Sequence, residues 1–322
     1  MLFKYVLIDV FNLAYRKSSS NNCVQIANDV IDFINIDVKK RLDPDGAVYL
    51  LFDPLPKSDL GLSKAFKYSP RMRKEIVGSY KKNRTYNPQV GEAISLLKKY
   101  YTFRGDKYKT VISDDLEADD YVEQLIGMLD GNIALITTDC DWCRYISDKV
   151  VMINRGFDDP YTKDEYTKEF GIVPTIATVT LKKAIYGDKS DNIESIFAGK
   201  KFNSSALEDI SDIMLVYIAN ENMSFKEVEK HIKGAEFTRL FKIKDRNPLE
   251  EFEYELLAVD TSIASPFSAL LDNIRVIKSR CDDVKKYITF APENKKYNDL
   301  MDVTLKRAPG VKKEIKFGAL KA

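Results

Sequence analysis

Histidine is nearly absent: His231 is the only one in 322 residues, and it stands in a charged stretch far from any other candidate catalytic group. A serine or cysteine nucleophile activated by histidine is therefore not expected, and any hydrolysis has to draw on metal-activated water. Cysteine is scarce too. Of Cys23, Cys140, Cys143 and Cys281, only Cys140 and Cys143 form a C-x-x-C, with no second pair to complete a zinc site or a disulfide framework. No apolar run approaches the roughly 20 residues that span a bilayer. The start of the chain has no secretory layout, because Asp9 interrupts its short apolar run. A cytoplasmic location without membrane contact is expected.

Net charge is small, at +1, but it is unevenly spread. From Lys57 to Lys109 there are fourteen Lys/Arg against four Asp/Glu, and from Ser113 to Pro160 twelve acids against three bases. A basic block beside an acidic block suits a protein that holds a polyanion with one surface and binds cations with another. The length suits one large domain or two modest ones, and the 44% hydrophobic content is that of a globular chain.

The pattern along the chain is that of an α/β fold with a doubly wound, mainly parallel sheet. Tyr5–Val10, Ala47–Phe52 and Asn132–Thr137 are short continuous apolar runs, as expected of parallel strands buried on both faces, and shorter runs at Thr110–Ser113 and Val150–Ile153 complete the set. Helical spacing fills Val24–Lys40 and Val90–Tyr100 between them. The rhythm breaks at about 54–90, a proline-containing insertion where many Lys/Arg interleave with Phe66, Tyr68, Tyr80 and Tyr86. Cations for phosphates and aromatic faces for bases suit single-stranded nucleic acid. The core is thus expected over residues 1–172. A mainly helical region follows over 173–322, with helices at Pro174–Tyr186 and Ser204–Ala219, a short strand at Lys285–Phe290, and a flexible basic tail from about Lys306.

Acids mark the ends of these elements. Asp114, Asp115, Glu117, Asp119 and Asp120 put five carboxylates into seven residues, directly before the helical pattern Val122, Leu125, Ile126 and Leu129. Asp114 or Asp115 is expected to cap that helix, whose dipole favours negative charge. Five acids exceed what capping needs, and two carboxylates ~4 Å apart repel by about 4 kcal/mol at an effective dielectric of 20. Asp9 and Asp53 each end a strand, Asp139 and Asp141 follow another, and Asp188 and Asp191 lie in the polar turn Gly187–Ile193. One acid after a strand is ordinary turn chemistry. Nine such acids at one end of a sheet form a site for hard divalent cations, and paired cations suit in-line attack at phosphorus.

These segments resemble the successive metal motifs of the 5′-nuclease (flap endonuclease) superfamily, most like its bacteriophage 5′→3′ exonuclease and phage ribonuclease H group. The segments are Ile8-Asp-Val-Phe-Asn12, Leu51-Phe-Asp53, Leu116-Glu-Ala-Asp-Asp120, Thr137-Thr-Asp-Cys-Asp141 and Ile185-Tyr-Gly-Asp-Lys-Ser-Asp-Asn-Ile193. Ser79-Tyr-Lys-Lys-Asn-Arg84 is similar to the family's basic arch motif. The resemblance implies that Asp9, Asp53, Glu117, Asp119 and Asp120 bind a first Mg²⁺. It implies that Asp139, Asp141, Asp188 and Asp191 serve a second, that one of the middle acids bridges them, and that Mn²⁺ substitutes. Lys81 and Arg84 would hold the scissile phosphate, with Lys82 alongside, and Tyr80 and Tyr15 would stack on bases.

The implied activity is hydrolysis of phosphodiester bonds in DNA and RNA–DNA duplexes, from 5′ ends or at 5′ flaps, for primer removal in phage replication in a bacterial cytoplasm. The implied partners are those nucleic acids and a single-strand binding protein or sliding clamp, with the enzyme a monomer. After Ile193 the pattern departs from the family. In place of a glycine-rich hairpin that opens a helix–three-turn–helix clamp, the chain reads Phe197-Ala-Gly-Lys-Lys-Phe-Asn203. Lys200 or Lys201 can still reach a phosphate there, whereas the family's K⁺ site is put in question. Two competing readings are a branched-DNA binding protein without catalysis and a PIN-like ribonuclease. The full set of acids weighs against the first, and the basic insertion against the second.

Overall fold

The computed structural model describes residues 2–18, 22–54, 87–105, 107–113, 116–195, 272–274, 276–277, 283–289 and 293–306. The insertion at about 54–90 lies outside them except at its two ends, as do the helix expected at Ser204–Ala219 and the tail beyond Lys306.

Seven strands form one sheet. Phe3–Asp9 (β1) lies at its centre, between Leu42–Phe52 (β2) and Ile133–Ile136 (β4). Tyr108–Ile112 (β3) and Val150–Gly156 (β5) extend it on either side. The five are parallel neighbours in the order β5-β4-β1-β2-β3. Two strands pair antiparallel at the edges: Asp159–Tyr161 (β6), which returns as a hairpin on β5, and Ile288–Thr289 (β7) on β3. The fold is α/β with a mostly parallel sheet, as the apolar runs predicted.

Burial explains why those runs are continuous. Val6, Ile8, Val48, Leu50, Ala134 and Ile136 join one core with the helices Val10–Lys17 (α1), Cys23–Asp32 (α2) and Pro88–Thr102 (α3). Leu7, Leu51, Val111 and Leu135, on the alternate positions, are buried as well. Both faces of the sheet are covered, so neither tolerates polar alternation. The helix expected over Val24–Lys40 is present, but it passes from α2 into a π-helical stretch, Phe33–Val38, before a last turn at Lys39–Arg41.

The acid-rich helix, Ala118–Met128 (α4), starts later than the sequence predicted. Its N-cap is Glu117, which displaces Asp114 and Asp115 from that role. Among the described residues no helix is long and apolar enough to cross a membrane.

The chain divides into two units, Met1–Pro70 with Thr85–Lys163 and Ser279–Ala322, and Arg71–Arg84 with Asp164–Lys278. The described end of the chain thus rejoins the sheet unit, although the division at 172/173 placed it in a helical region. β7 joins the sheet edge, and Lys295–Lys306 (α7) packs onto the core through Met301 and Leu305, with the Leu305 carbonyl accepting from Asn28 Nδ2 at 2.9 Å. The second unit contains Lys163–Phe170 (α5) almost entirely, and Ile176–Tyr186 (α6), which Thr175 caps.

The β1–β2 contact is the mechanical centre of the sheet unit, and Leu50 is fully buried in it. Leu50→Ala is expected to lower the unfolding free energy by about 2–5 kcal/mol, the range for leucine truncation in a packed core. Denaturant unfolding of the two proteins measures the loss.

Candidate metal centre

Strand order decides where the acids go. Beyond β1 the chain winds outward through β2 and β3. It then crosses back to β4 on the other side of β1 and continues to β5. The winding reverses between β1 and β4, and in open α/β sheets ligands bind in the crevice outside the strands' carboxyl ends at such a point. Asp9 ends β1, Asp139 and Asp141 follow β4, Asp53 follows β2, and Glu117 follows β3. The acids of four different segments therefore line one rim of the sheet.

Asp119, Asp139 and Asp141 come together, each offering a ligand oxygen, with these atoms within 4.8 Å of one another. Asp139 caps the 3₁₀ turn Cys140–Tyr145, accepting the Asp141 N–H at 3.0 Å. The two acids expected for the second ion thus share their pocket with Asp119, which the resemblance had grouped with the first ion or as a bridge.

A hydrogen-bond network joins the ends of β1 and β4. Thr137 Oγ1 donates to Asp9 Oδ2 (3.2 Å) and accepts from the Asp139 N–H (3.0 Å). Asn12 N–H donates to Asp9 Oδ1 at 3.0 Å, and Asn12 Oδ1 accepts from Thr138 through both its N–H and its hydroxyl. Burial, then the charge of Asp53, and to a lesser extent that of Asp119, push the Asp9 carboxyl up to about 8. Arg16, on the helix after β1, lies within electrostatic reach of Asp9. Its guanidinium is held below the ordinary arginine range by burial, which the Asp9 charge partly offsets.

The remaining acids of this rim have structural partners. Asp120 is buried, and its Oδ2 accepts the Glu117 N–H at 3.0 Å, closing a capping box over the start of α4. Asp53 Oδ1 accepts the Ala118 N–H at 2.7 Å, so a β2 acid caps a helix 65 residues away.

In the second unit, Asp188 and Asp191 lie in the turn after α6. Gly187 ends α6 at φ +77°, where a side chain would lie 2.5 Å from the Ser195 amide nitrogen, so the turn that follows requires glycine. Asp188 and Ile193 pair through both backbone hydrogen bonds, and Asn192 takes the left-handed conformation at φ 56°. Asp188 Oδ1 accepts from the Ser190 N–H and hydroxyl. Lys183 Nζ reaches Asp188 Oδ2 at 2.9 Å and Asp191 Oδ2 at 3.0 Å. Burial pushes the Asp188 carboxyl up, but the Lys183 charge and the Ser190 and Lys183 hydrogen bonds outweigh it and leave the group below its ordinary value.

Of the expected nucleic-acid contacts, Tyr15 is described. It is exposed, its ring lies 5.2 Å from that of Phe11, and its hydroxyl accepts from the Asn87 N–H, at the foot of the basic insertion. Tyr80, Lys81, Lys82, Arg84, Lys200 and Lys201 lie outside the described residues. Sequence reasoning missed Thr137, Asn12, Trp142, Arg144 and Lys183. Thr137 and Asn12 stood inside the quoted motifs, and Lys183 is the basic residue in the last turn of the helix before its acids. A search of each motif's neighbours for donors would have found these three.

A doubly wound sheet with carboxylates gathered at its switch point defines the class: an α/β fold with a candidate cation site. More narrowly, the fold is similar to that of the bacteriophage T5 D15 protein and T5 5′-exonuclease. The bacteriophage T5 D15 protein co-crystallised with metal ions aligns with 94% of this chain and 98% of its own, at a TM-score of 0.53 and 18% identity. The T5 5′-exonuclease with bound zinc aligns at a TM-score of 0.52 and 19% identity, covering 94% and 99%. Human GEN1 in complex with Holliday junction DNA covers 95% of this chain and 68% of its own, at a TM-score of 0.50 and 11% identity. The sequence itself matches no protein-family model and no curated protein.

The Asp9 shift has a measurable consequence in metal-free protein. The folded chain keeps a proton on Asp9 up to about pH 8, whereas an ordinary carboxyl loses it near 3.8. Between those values the folded state binds the extra proton, so stability falls as pH rises, by at most about 1.4 kcal/mol per unit for one group. In chelator, unfolding free energy measured from pH 5 to 9 is expected to decline in the wild type relative to Asp9→Asn. The difference levels off above about pH 8.

Proposed function

We propose that the chain is a divalent-metal-dependent 5′-nuclease acting on DNA. The observation that carries this reading is the convergence of Asp119, Asp139 and Asp141 beside Asp9 at the sheet's switch point. The fold likeness to T5 and human proteins crystallised with metal ions or DNA supports it.

The donor set fits Mg²⁺ or Mn²⁺. It consists of hard carboxylate oxygens, and the Asp9 carboxyl is held protonated by burial first and by its acidic neighbours second. Bound there, a divalent pair supplies charge neutralisation at phosphorus and a lowered pKa for the attacking water. The chain's own residues do the rest. Asp119, Asp139 and Asp141 hold one face of the site, and Asp9 and Asp53 line its neighbour, with Glu117 and Asp120 shaping the helix start behind them. We read Asp188 and Asp191, on their sequence motif, as ligands for the second ion.

Lys81 and Arg84 serve the scissile phosphate, where fixed cations stabilise charge that develops in the transition state. Lys82 and either Lys200 or Lys201 hold flanking phosphates, and Tyr80 and Tyr15 stack on bases. The substrates on this reading are 5′ ends and 5′ flaps of DNA and RNA–DNA duplexes, as in primer removal during phage replication. Mn²⁺ replaces Mg²⁺, and the enzyme works as a monomer beside a single-strand binding protein or clamp.

The test is cleavage of 5′-labelled flap, nicked and RNA-primed substrates with Mg²⁺, Mn²⁺ or EDTA. Asp141→Asn is expected to lose at least about 100-fold in rate, as removal of a transition-state charge stabiliser does, while duplex binding persists. EDTA is expected to abolish cleavage. Undiminished cutting in EDTA, or by an Asp139→Asn/Asp141→Asn double variant, would overturn the reading.

A further inference from the structure

The metal centre contains a device that no motif announced. Trp142 is the chain's one tryptophan and is wholly buried. Its indole N–H donates to Asp119 Oδ1 at 2.6 Å. Three residues on, the Tyr145 hydroxyl donates to the Asp119 carbonyl at 3.3 Å. Both belong to the 3₁₀ turn that Asp139 caps, and in a 3₁₀ helix residues three apart stand above one another. Asp139, Trp142 and Tyr145 therefore follow one row of the turn, and that row faces Asp119. On the next row, Arg144 is buried, and its charge acts on Asp141 and Asp119. One six-residue turn thus supports two acids of the cluster and grips the third, which comes from α4.

The geometry points to Trp142 as a positioning residue of the metal centre: its indole N–H holds the Asp119 carboxylate against the repulsion of Asp139 and Asp141, so that the cage stands ready before a cation arrives. The inference rests on the metal reading above. A carboxylate has about four lone-pair sites, so an indole bond to one of its oxygens is compatible with cation binding. Without the bond, the repulsion that gathers no ion on its own swings Asp119 away, and the cation has to bring it back. Removing an outer partner of a metal ligand typically lowers metal affinity about 10- to 100-fold. The loss falls on metal affinity; the rate at saturating metal changes much less.

Trp142→Phe keeps most of the buried ring and deletes the donor. Free Mn²⁺ counted by electron paramagnetic resonance gives the affinity of wild type and variant without any substrate. At least about tenfold weaker binding in Trp142→Phe is expected, with cleavage recovering at high Mn²⁺. A second measurement needs no variant. Trp142 is the only indole, so the wild-type emission is expected to shift on titration with Mg²⁺, which does not quench by paramagnetism, and to saturate with the site. Mn²⁺ binding by Trp142→Phe within twofold of wild type overturns the role of Trp142. So does an emission that stays constant through Mg²⁺ saturation, which decides the matter if the variant does not fold. A wild type that binds no Mn²⁺ overturns the metal reading itself and this inference with it.

Discussion

Like charge held at close range is the constraint from which the sheet unit's functional end follows. Asp119, Asp139 and Asp141 offer oxygens within 4.8 Å of one another, with Asp9 buried beside them. At such spacing each pair repels by about 4 kcal/mol at an effective dielectric of 20. A folded chain keeps that arrangement only by surrounding it with donors and countercharge. The donors are the backbone N–H groups of Asn12, Asp141 and Ala118, the hydroxyl of Thr137 and the indole of Trp142. The countercharge within the unit includes Arg16 and Arg144.

Neighbouring acids of this rim do structural work. Asp53 and Asp120 satisfy N–H groups at the start of α4, whose positive dipole end faces the acidic rim. An acid recruited as a cap is fixed in direction, and a fixed carboxylate is a better ligand because less freedom is lost on binding. The second unit handles its acids differently. Asp188 and Asp191 share one lysine, Lys183, from the preceding helix, and a glycine-dependent turn sets their spacing. One ammonium on a long stem thus bridges both carboxylates.

A fold shared with T5 5′-exonuclease at 19% identity shows how little of the sequence this architecture demands. Most of the sheet needs only apolar residues of suitable size, which many sequences supply. At the strand ends direction and charge matter, and there the local motifs are readable. That asymmetry is why the resemblance was visible in short segments while the whole sequence matches no family model.

The sequence by itself determined the five parallel strands, most helices and the acids that follow them, because each depends on a local signal; the edge hairpin strand Asp159–Tyr161 carried no such signal. Continuous apolar runs mark strands buried on both faces, and Asp9, Asp53 and Asp139 sit within two residues of where those runs stop. It could not determine which acids would meet. Asp119 joins Asp139 and Asp141, while its neighbour Asp120 turns back to cap its own helix, and one residue of register along α4 separates the two outcomes. Nor did it show that Trp142 would reach Asp119 across 23 residues, or that the chain's end would return to the sheet through β7. These are decided by strand order and by helix rotation against the sheet, which are set by the packing of the whole core rather than by any stretch of it.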